Sequence, residues 1–205
     1  ALLKKGTCIL EAWIPFEMEL AITVAQDANK VFTSFPVTET IYREQKLVKT
    51  ITPARVGGNI QKELEHIGKL AAKAMNLTGI LTIETFMTSS GTLYVNRLVV
   101  RPHHSCNYSL DGCSISQYEV LVRCICGLPI PEIQLYDTSV TFNIMEEKLD
   151  EALILLLTKP DWHFHFYGKK EHRAKRKMGH VTLLGDSPDT LINELEENGL
   201  LESAE

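Results

Sequence analysis

Runs of apolar and β-branched residues predict strands at many places along the chain. The predicted strands cover residues 7–10, 20–25, 31–37 with a break at Pro36, 80–88, 92–99, 140–144, 162–167 and 180–184. Apolar residues at helical spacing predict a long helix over residues 59–75, with Asn59 as its N-cap. Shorter helices are predicted over residues 116–126, 147–157 and 187–199. Because strands and helices mix without a strict βαβ alternation, we expect an α+β fold.

The segment around Ser90 and Gly91 predicts a β-hairpin with charged residues on both strands. Ser-Gly between two β-rich runs is typical of a two-residue turn. With these residues at the centre of the turn, Glu84 and Arg97 become cross-strand neighbours, with β-carbons about 5 Å apart. The simplest interpretation is an exposed ion pair, which stabilises a protein by about 0.2–1 kcal/mol. Two facing carboxylates would instead bind a divalent cation together with phosphate oxygens.

Composition limits the possible functions. The chain has 205 residues, 44% of them hydrophobic and 23% charged, which is typical of a globular protein with one large or two small domains. A net charge of −5 gives no electrostatic basis for nucleic-acid binding, and no apolar run reaches the roughly 18–20 residues of a membrane span. Five cysteines without CxxC spacing predict reduced thiols in a cytoplasmic protein. The chain starts without Met, directly before a strand-like run, so we expect the later part of a longer protein.

Several short motifs, in a fixed order along nearly the whole chain, resemble one enzyme family. They are EAWIPFEME at 11–19, NRLVVRPHHS at 96–105, SQYE at 116–119, YGK at 167–169 and RKMGH at 176–180. Together they resemble 5-(carboxyamino)imidazole ribonucleotide synthetase, the ATP-dependent subunit of phosphoribosylaminoimidazole carboxylase in purine biosynthesis. The pair RPHxS and RKMGH is the specific part of this resemblance.

The resemblance implies an ATP-grasp fold. Residues 1–128 would form the second half of the grasp, an antiparallel sheet with packed helices, and residues 129–205 a small β-rich α+β domain. The implied enzyme is an ATP-grasp carbon–nitrogen ligase that activates bicarbonate as carboxyphosphate and joins it to aminoimidazole ribonucleotide. Its implied ligands are ATP, Mg²⁺, bicarbonate and the ribonucleotide, without nucleic acid or membrane, and a homodimer is possible. The fragment alone is expected to be inactive.

The resemblance also assigns residues to the nucleotide. The backbone of a hinge would meet the adenine, and this hinge consists of Glu11, Ala12, Trp13 and Ile14. The ribose hydroxyls would be bound by Glu19. Mg²⁺ would be bound by Glu84, because this hard cation prefers carboxylate oxygens. The nucleotide would also be contacted by Tyr42, Asn96 and Arg97.

Further residues are implied for the other substrates. Arg101 and His103 would be catalytic and, with Ser105, would surround the bicarbonate and the ribonucleotide. The ribonucleotide phosphate would be held by Lys169, Arg173 and Arg176, since cationic groups suit phosphate oxygens. If the loop is extended, His103 and His104 point to opposite sides, so we expect only His103 to face the site.

The sequence departs from the family pattern at the centre of the site. Arg97 stands where the family has a second glutamate, and Tyr42 where it has a histidine; the loop is altered at Val100, His104, Cys106 and Asn107. A guanidinium about 4–6 Å from a metal repels it by a few kcal/mol, so we expect a weakened magnesium site. Two alternatives remain open. One is a diverged, non-catalytic homologue that binds a nucleotide or a partner, and the other is an ATP-grasp ligase for another amine.

Overall fold

The structure, a computed structural model, describes residues 6–171 and 176–201 of the chain. Within these residues there are nine strands: β1 Met18–Gln26, β2 Phe32–Ser34, β3 Thr38–Arg43, β4 Lys46–Thr52, β5 Gly79–Met87, β6 Leu93–Val99, β7 Thr138–Met145, β8 His163–Phe166 and β9 Lys177–Gly185. The α-helices of the same residues are α1 Gly58–Ala74, α2 Gln117–Cys126, α3 Leu149–Thr158 and α4 Pro188–Glu197. A 3₁₀ helix covers His104–Leu110.

All of these strands join one antiparallel sheet. Its order is β6-β5-β1-β3-β4-β7-β9-β8, and β2 pairs with β1 outside this path. Strands from the two halves of the chain meet where β4 pairs with β7, from Lys49 opposite Phe142 to Thr52 opposite Ser139. An antiparallel sheet with packed helices confirms the expected α+β class. The division of the chain at residue 128 stays a prediction.

The apolar residues of β1 and β5 decide which face of the sheet is covered by α1. Leu20 and Ile22 of β1 and Leu81 and Ile83 of β5 share one buried cluster with Leu64 of α1. Because side chains alternate across a strand, the residues between them point to the opposite face. At one end that opposite face is covered by α2 and the 3₁₀ helix, through Ile80, Tyr108 and Val120 among others. The other end, which contains the first residues of β1 and the last residues of β5, is left uncovered by these helices.

The second half of the sheet has its own core. Phe142 of β7 and Leu183 of β9 pack with Leu155 of α3 and Leu191 of α4 in a single cluster. Burying side chains of this size stabilises the fold by about 1.5–3 kcal/mol each. No helix in the described part of the chain combines the length and the apolar character needed to cross a membrane.

The β5–β6 hairpin confirms the predicted pairing of Glu84 with Arg97, but its turn differs from the prediction. The N–H of Thr88 donates to the carbonyl of Thr92 (3.0 Å), so the loop between them has three residues rather than two. Its last residue, Gly91, has φ +79°, a conformation that glycine adopts without strain. The register then shifts between Glu84 and Thr85, and this bulge restores the pairing that a two-residue turn would have given.

Two other predictions of local structure are wrong, and a third is confirmed only in part. Residues 7–10 form no strand, because no described strand pairs with them; Leu10 is 99% exposed. The predicted strand 31–37 is confirmed only over β2, Phe32–Ser34, with the expected break at Pro36, which lacks an N–H group; the next strand, β3, begins at Thr38. The N-cap of α1 is Gly57, and Asn59 lies inside the first turn.

The ends of α2 agree with the prediction, whereas the β3–β4 hairpin was not predicted. The Ser116 hydroxyl accepts from the N–H of Glu119, and Gly127 ends α2 with φ +68°. The turn between β3 and β4 places Glu44 and Gln45 at φ +47° and +63°. Positive φ at both positions is typical of a hairpin turn, but Asn and Gly are its usual residues, so the sequence carries no clear signal there.

Candidate functional site

A cleft of about 680 Å³ lies on the face of the sheet opposite α1. It is lined by residues from β1, β3, β5 and β6, by the start of β9 and by the loop before the 3₁₀ helix. The cleft brings together six of the residues that the sequence proposed: Glu19, Tyr42, Glu84, Asn96, Arg97 and His103. A cavity of this size fits a nucleotide-sized ligand.

The strand register explains why these side chains meet. Glu84 of β5 is paired with Ala21 of β1 on one side and with Arg97 of β6 on the other, and Phe86 is paired with Glu19. Directly paired residues point to the same face, and so do residues two apart along a strand. Glu19, Glu84, Phe86 and Arg97 therefore share the face that α1 leaves free.

Glu84 is fixed by neighbours other than its cross-strand partner. The hydroxyl of Tyr42 donates to Oε1 of Glu84 (2.9 Å), and Nε2 of His103 lies 3.4 Å from the same oxygen. Burial, reinforced by the charge of Glu84, raises the pKa of Tyr42 well above its usual value, so the phenol stays a hydrogen-bond donor. The expected Glu84–Arg97 ion pair is wrong: Arg97 is exposed and makes no hydrogen bond or ion pair with any described residue.

Glu19 adds a second carboxylate to the cleft. Its pKa is raised by partial burial and by the negative charge of Glu84. Even so, the described residues contain no group of three or more His, Cys, Asp or Glu side chains placed to hold a metal ion. Mg²⁺ in nucleotide sites is commonly bound by one or two carboxylates and by the phosphates themselves. Glu84 fits that minimal arrangement, while the positive charge of Arg97 opposes it.

His103 is held in one orientation by its own loop. Its Nδ1 lies 2.9 Å from Oγ of Ser105 and accepts from the N–H of Ser105. The side chain of Gln117 binds both the N–H and the carbonyl of His103 (2.9 Å each). Because Nδ1 is an acceptor, the ring proton of the neutral imidazole sits on Nε2, which faces Glu84.

His104 also lines the cleft, so the expectation that only His103 faces it is wrong. The two ring centroids are 3.9 Å apart. The strand alternation that the prediction assumed does not apply, because His104 begins the 3₁₀ helix. Burial, with the charges of Arg101, Lys177 and Arg97 nearby, lowers the pKa of His103 to about 4; burial and the same three cations, with His103, lower that of His104 to about 2. Both rings are therefore neutral at pH 7.

The remaining proposed residues lie outside the lining of the cleft. The hinge residues 11–14 form no regular structure, and Trp13 is 87% exposed. The guanidinium of Arg101 donates to the carbonyl of Pro102 (3.1 Å) and is exposed. Ser105 is buried behind His103.

Two cations of the basic segment after β8 form hydrogen bonds with backbone carbonyls of the same part of the chain. Nζ of Lys169 donates to the carbonyl of Lys177 (2.5 Å) and lies 5.1 Å from the ring centre of Tyr167. Arg176 donates to the carbonyl of Glu171 (3.0 Å) and lies 3.5 Å from its carboxylate. Arg173 lies outside the described residues. The phosphate-binding role of these cations stays a prediction.

Sequence reasoning missed several residues that line the cleft: Phe16, Lys46, Phe86, His104, Met145 and Lys177. Phe16 and Phe86 stack, with ring centroids 4.5 Å apart and planes 17° apart. The alternation of β5 could have indicated Phe86, two residues after Glu84. Lys177 lies inside the RKMGH motif, but nothing in the sequence distinguishes it from the basic residues that precede it.

Comparison with known proteins identifies the family of the chain. The family model of the ATP-grasp domain matches residues 1–118, and that of the phosphoribosylaminoimidazole carboxylase C-terminal domain matches residues 139–194. The chain is similar to N5-carboxyaminoimidazole ribonucleotide synthase of Bacillus subtilis (strain 168), with 40% identity over 95% of this chain and 51% of that protein. The chain thus spans about half the length of the curated relatives that it matches.

Solved structures indicate the same family. An ADP complex of N5-carboxyaminoimidazole ribonucleotide synthetase superimposes with a TM-score of 0.89 at 34% identity, over 92% of this chain and 50% of that one. The N5-carboxyaminoimidazole synthase of Aspergillus clavatus, in complex with ADP and 5-aminoimidazole ribonucleotide, gives a TM-score of 0.81 at 27% identity, over 91% and 51%. With an ATP-grasp match over more than half of its length, the chain belongs to the ATP-grasp family, and its second part matches the C-terminal domain of phosphoribosylaminoimidazole carboxylase.

Proposed function

We propose that the protein containing this chain is an ATP-dependent ligase of purine biosynthesis. It joins bicarbonate, activated as carboxyphosphate, to the amine of aminoimidazole ribonucleotide. The observation that carries this proposal is the single cleft in which Glu19, Tyr42, Glu84 and Arg97 meet the His103 loop. The relatives that match nearly the whole chain bear the name of this synthase.

The nucleotide would lie along the floor of the cleft. The ribose hydroxyls would donate to the carboxylate of Glu19, and Asn96 and Tyr42 would lie beside the nucleotide. The stacked rings of Phe16 and Phe86 supply an apolar surface for the base next to Glu19. The backbone of the hinge residues 11–14, which follows no regular hydrogen-bonding pattern, would supply the donor and acceptor that adenine needs.

The proposed cofactor is Mg²⁺ bound by Glu84 together with phosphate oxygens of ATP. When bound, the cation would neutralise charge on the phosphates. Glu84 has one oxygen engaged by Tyr42, and Arg97 adds a positive charge on the neighbouring strand. We therefore propose a reduced dependence of nucleotide binding on magnesium.

The bicarbonate and the ribonucleotide would lie near the His103 loop. His103 is neutral and oriented by Ser105, so it offers an N–H donor rather than a charge. Arg101 at the loop entrance would add the cation that a carbonate-sized anion requires. For the ribonucleotide phosphate we propose Lys169, Arg173 and Arg176.

Three further properties belong to this proposal. Residues 1–128 and 129–205 would form the two structural units, in keeping with the separate family models that match 1–118 and 139–194. The whole protein would act in the cytoplasm as a homodimer. The present chain alone would be inactive, because it spans half of its relatives' length.

One observation favours a second candidate, a diverged homologue that binds a nucleotide without ligase chemistry. Tyr42 occupies an oxygen of Glu84, and Arg97 faces the same position from β6, so the metal-binding capacity of the cleft is low. A ligase for another amine is the third candidate, and a comparison of amine substrates would identify it.

The deciding experiment measures ADP release by the full-length protein with bicarbonate, with and without aminoimidazole ribonucleotide. The proposal expects hydrolysis that depends on the ribonucleotide. If ADP binds but neither the ribonucleotide nor any other amine tested raises ADP release, the non-catalytic candidate is correct. In that case, a gain of activity in Arg97→Glu would identify a decayed ligase.

A further inference from the structure

A second cavity, of about 330 Å³, lies on the face of the sheet that α1 covers, opposite the cleft. Gln26 at the end of β1 lies on this face, because it comes two residues after Val24, which packs in the same cluster as Leu64 of α1. The described residues that line this cavity all differ from those that line the cleft, so the two sites are separate. The cavity is lined by Gln26, Lys30, Phe32, Lys69, Lys73 and Asn76.

Gln26 brings a buried carboxamide without a partner to this cavity. The residue is only 7% exposed, and its side chain forms no hydrogen bond with any residue that the structure describes. A buried amide has lost its hydrogen bonds to water, which is unfavourable unless another group replaces them. Because the last torsion of a glutamine side chain is only loosely restricted, either its oxygen or its NH₂ group can turn toward a bound molecule.

Three ammonium groups surround the same cavity. Lys69 and Lys73 lie one turn apart on α1, and neither forms a hydrogen bond or an ion pair within residues 6–171 and 176–201. Nζ of Lys30 donates to Oδ1 of Asn76 (2.7 Å), which joins the turn after β1 to the end of α1. This bond leaves two N–H groups of Lys30 for a ligand.

The acidic side chains that are close to these residues in sequence form hydrogen bonds with other groups. Oδ1 of Asp27 accepts from the backbone N–H groups of residues 29 and 31 (2.9 and 2.8 Å). Glu65, one turn before Lys69 in α1, accepts from the hydroxyl of Ser34 (3.2 Å). The cavity is therefore positively charged in a chain whose net charge is −5.

Phe32 adds an apolar wall to the cavity. Its ring is half-buried, and Nζ of Lys69 lies 6.0 Å from the ring centroid. A flat apolar or aromatic group can pack on such a ring while an attached anion reaches the ammonium groups. The volume of the cavity lies at the lower end of the range for small-molecule sites, so it fits a small metabolite.

We propose that this cavity binds a small organic phosphate. Its phosphate is bound by Lys69 and Lys73, a hydrogen-bonding group of the ligand is bound by Gln26, and the rest of the ligand packs against Phe32. A phosphate monoester suits two adjacent ammonium groups because it carries nearly two negative charges at pH 7, whereas a carboxylate carries one. The ligand is a nucleoside monophosphate or a sugar phosphate, since both combine a phosphate with hydrogen-bonding groups.

The test measures hydrogen exchange by mass spectrometry in the full-length protein, with AMP, ribose 5-phosphate and inorganic phosphate as probes. Protection of residues 27–34 and 69–77 reports binding in this cavity, separately from binding in the cleft. The variants are Lys69→Met/Lys73→Met and Gln26→Leu, and the control is Lys62→Met. Lys62 is an exposed lysine of α1 that does not line the cavity. Gln26→Leu keeps the size of the side chain and removes the unpaired amide, so the urea midpoint of unfolding should not fall.

We expect AMP or ribose 5-phosphate to protect both segments of the wild-type protein. Lys69→Met/Lys73→Met should raise the probe concentration for half-maximal protection by about 10- to 100-fold, which is the usual effect of lost charged hydrogen bonds. Gln26→Leu should raise it by about 3- to 10-fold, the effect of one neutral hydrogen bond. Lys62→Met should change it by less than about twofold.

The probes also identify the class of ligand. Tighter binding of AMP than of ribose 5-phosphate indicates a nucleoside monophosphate whose base packs on Phe32, and equal or tighter binding of ribose 5-phosphate indicates a sugar phosphate. The inference is wrong if neither probe protects the two segments, if inorganic phosphate binds as tightly as both, or if either variant binds like wild type. The proposed function is tested separately, because the residues of this cavity lie outside the cleft.

Discussion

The acidic floor and the cationic rim of the cleft are built in opposite ways. On the floor, Glu84 is held by the hydroxyl of Tyr42 and contacted by His103, which is itself fixed by Ser105. On the rim, the charged groups of Arg97 and Lys177 have no partner among the described residues. The floor is therefore organised before a ligand arrives, whereas the rim depends on the ligand for its counter-charge.

This difference indicates which part of the cleft determines affinity and which part determines geometry. Because the polar groups of the floor bind one another, their side chains are already ordered, and ligand binding costs little further conformational entropy there. Unpaired cations are stabilised most by an anionic ligand, because they have a counter-charge only in the bound state. Substitutions on the floor should thus impair catalysis and stability, and those on the rim should alter anion affinity and ion dependence.

The largest effect is expected from Glu84→Gln. The variant keeps the size of the side chain and an acceptor for Tyr42 but removes the charge proposed to bind Mg²⁺. Ribonucleotide-dependent ATP hydrolysis by the full-length protein should fall by about 100-fold or more, because a bound cation supplies several kcal/mol to such reactions. Glu63→Gln, on the exposed side of α1, is the matched control. Activity of Glu84→Gln within about threefold of wild type would show that Glu84 has no central role in the reaction.

Arg97→Glu should produce the next largest effect. It replaces the unpaired guanidinium opposite Glu84 with a second carboxylate, so the Mg²⁺ concentration for half-maximal ADP binding should fall by about tenfold or more. Calorimetric titration of ADP at several Mg²⁺ concentrations measures this directly. An unchanged Mg²⁺ requirement would show that Arg97 does not repel the cation.

Much of the floor was predictable from the sequence, and so was Arg97 of the rim, whereas Lys177 was not. The Glu84–Arg97 pairing followed from the Ser-Gly turn, although the real hairpin reaches it through a longer loop and a compensating bulge. His104 was misplaced because a strand was assumed where a 3₁₀ helix begins. Lys177 was missed because its place in the cleft depends on the pairing of β7 with β9, a contact between residues far apart in sequence.

A smaller effect is expected from pH. The folded state lowers the pKa of His103 to about 4 and that of His104 to about 2, below the usual value of 6.5. A lowered histidine pKa gives stability that is complete above pH 6.5 and is lost as the pH falls towards the folded pKa. The free energy of unfolding should fall by about 1–2 kcal/mol per histidine between pH 7 and pH 5. Urea unfolding of wild type and of His104→Asn at pH 7 and at pH 5 measures this change in the free energy of unfolding. If His104→Asn shows the same pH dependence as wild type, His104 does not have this role.

The smallest effect is expected from Ser105→Ala. The substitution removes the buried hydroxyl that lies 2.9 Å from Nδ1 of His103 and should lower the free energy of unfolding by about 0.5–1.5 kcal/mol, with only a modest loss of ADP affinity, because Nδ1 keeps the N–H of Ser105 as a donor. Ser114→Ala, whose hydroxyl accepts from the N–H of Gln134 at an exposed site, is the control and should cost less. Equal losses of stability in the two variants would show that the His103 loop is not specially fixed.

Whether this cleft binds the nucleotide is tested most directly by a crystal structure of the full-length protein with ADP. We expect the ribose at Glu19 and the diphosphate between Glu84 and the cations of the rim, with Tyr42 still bound to Glu84 or displaced by the nucleotide. ADP bound away from this cleft, with Glu84, Arg97 and Lys177 unaltered, would contradict it.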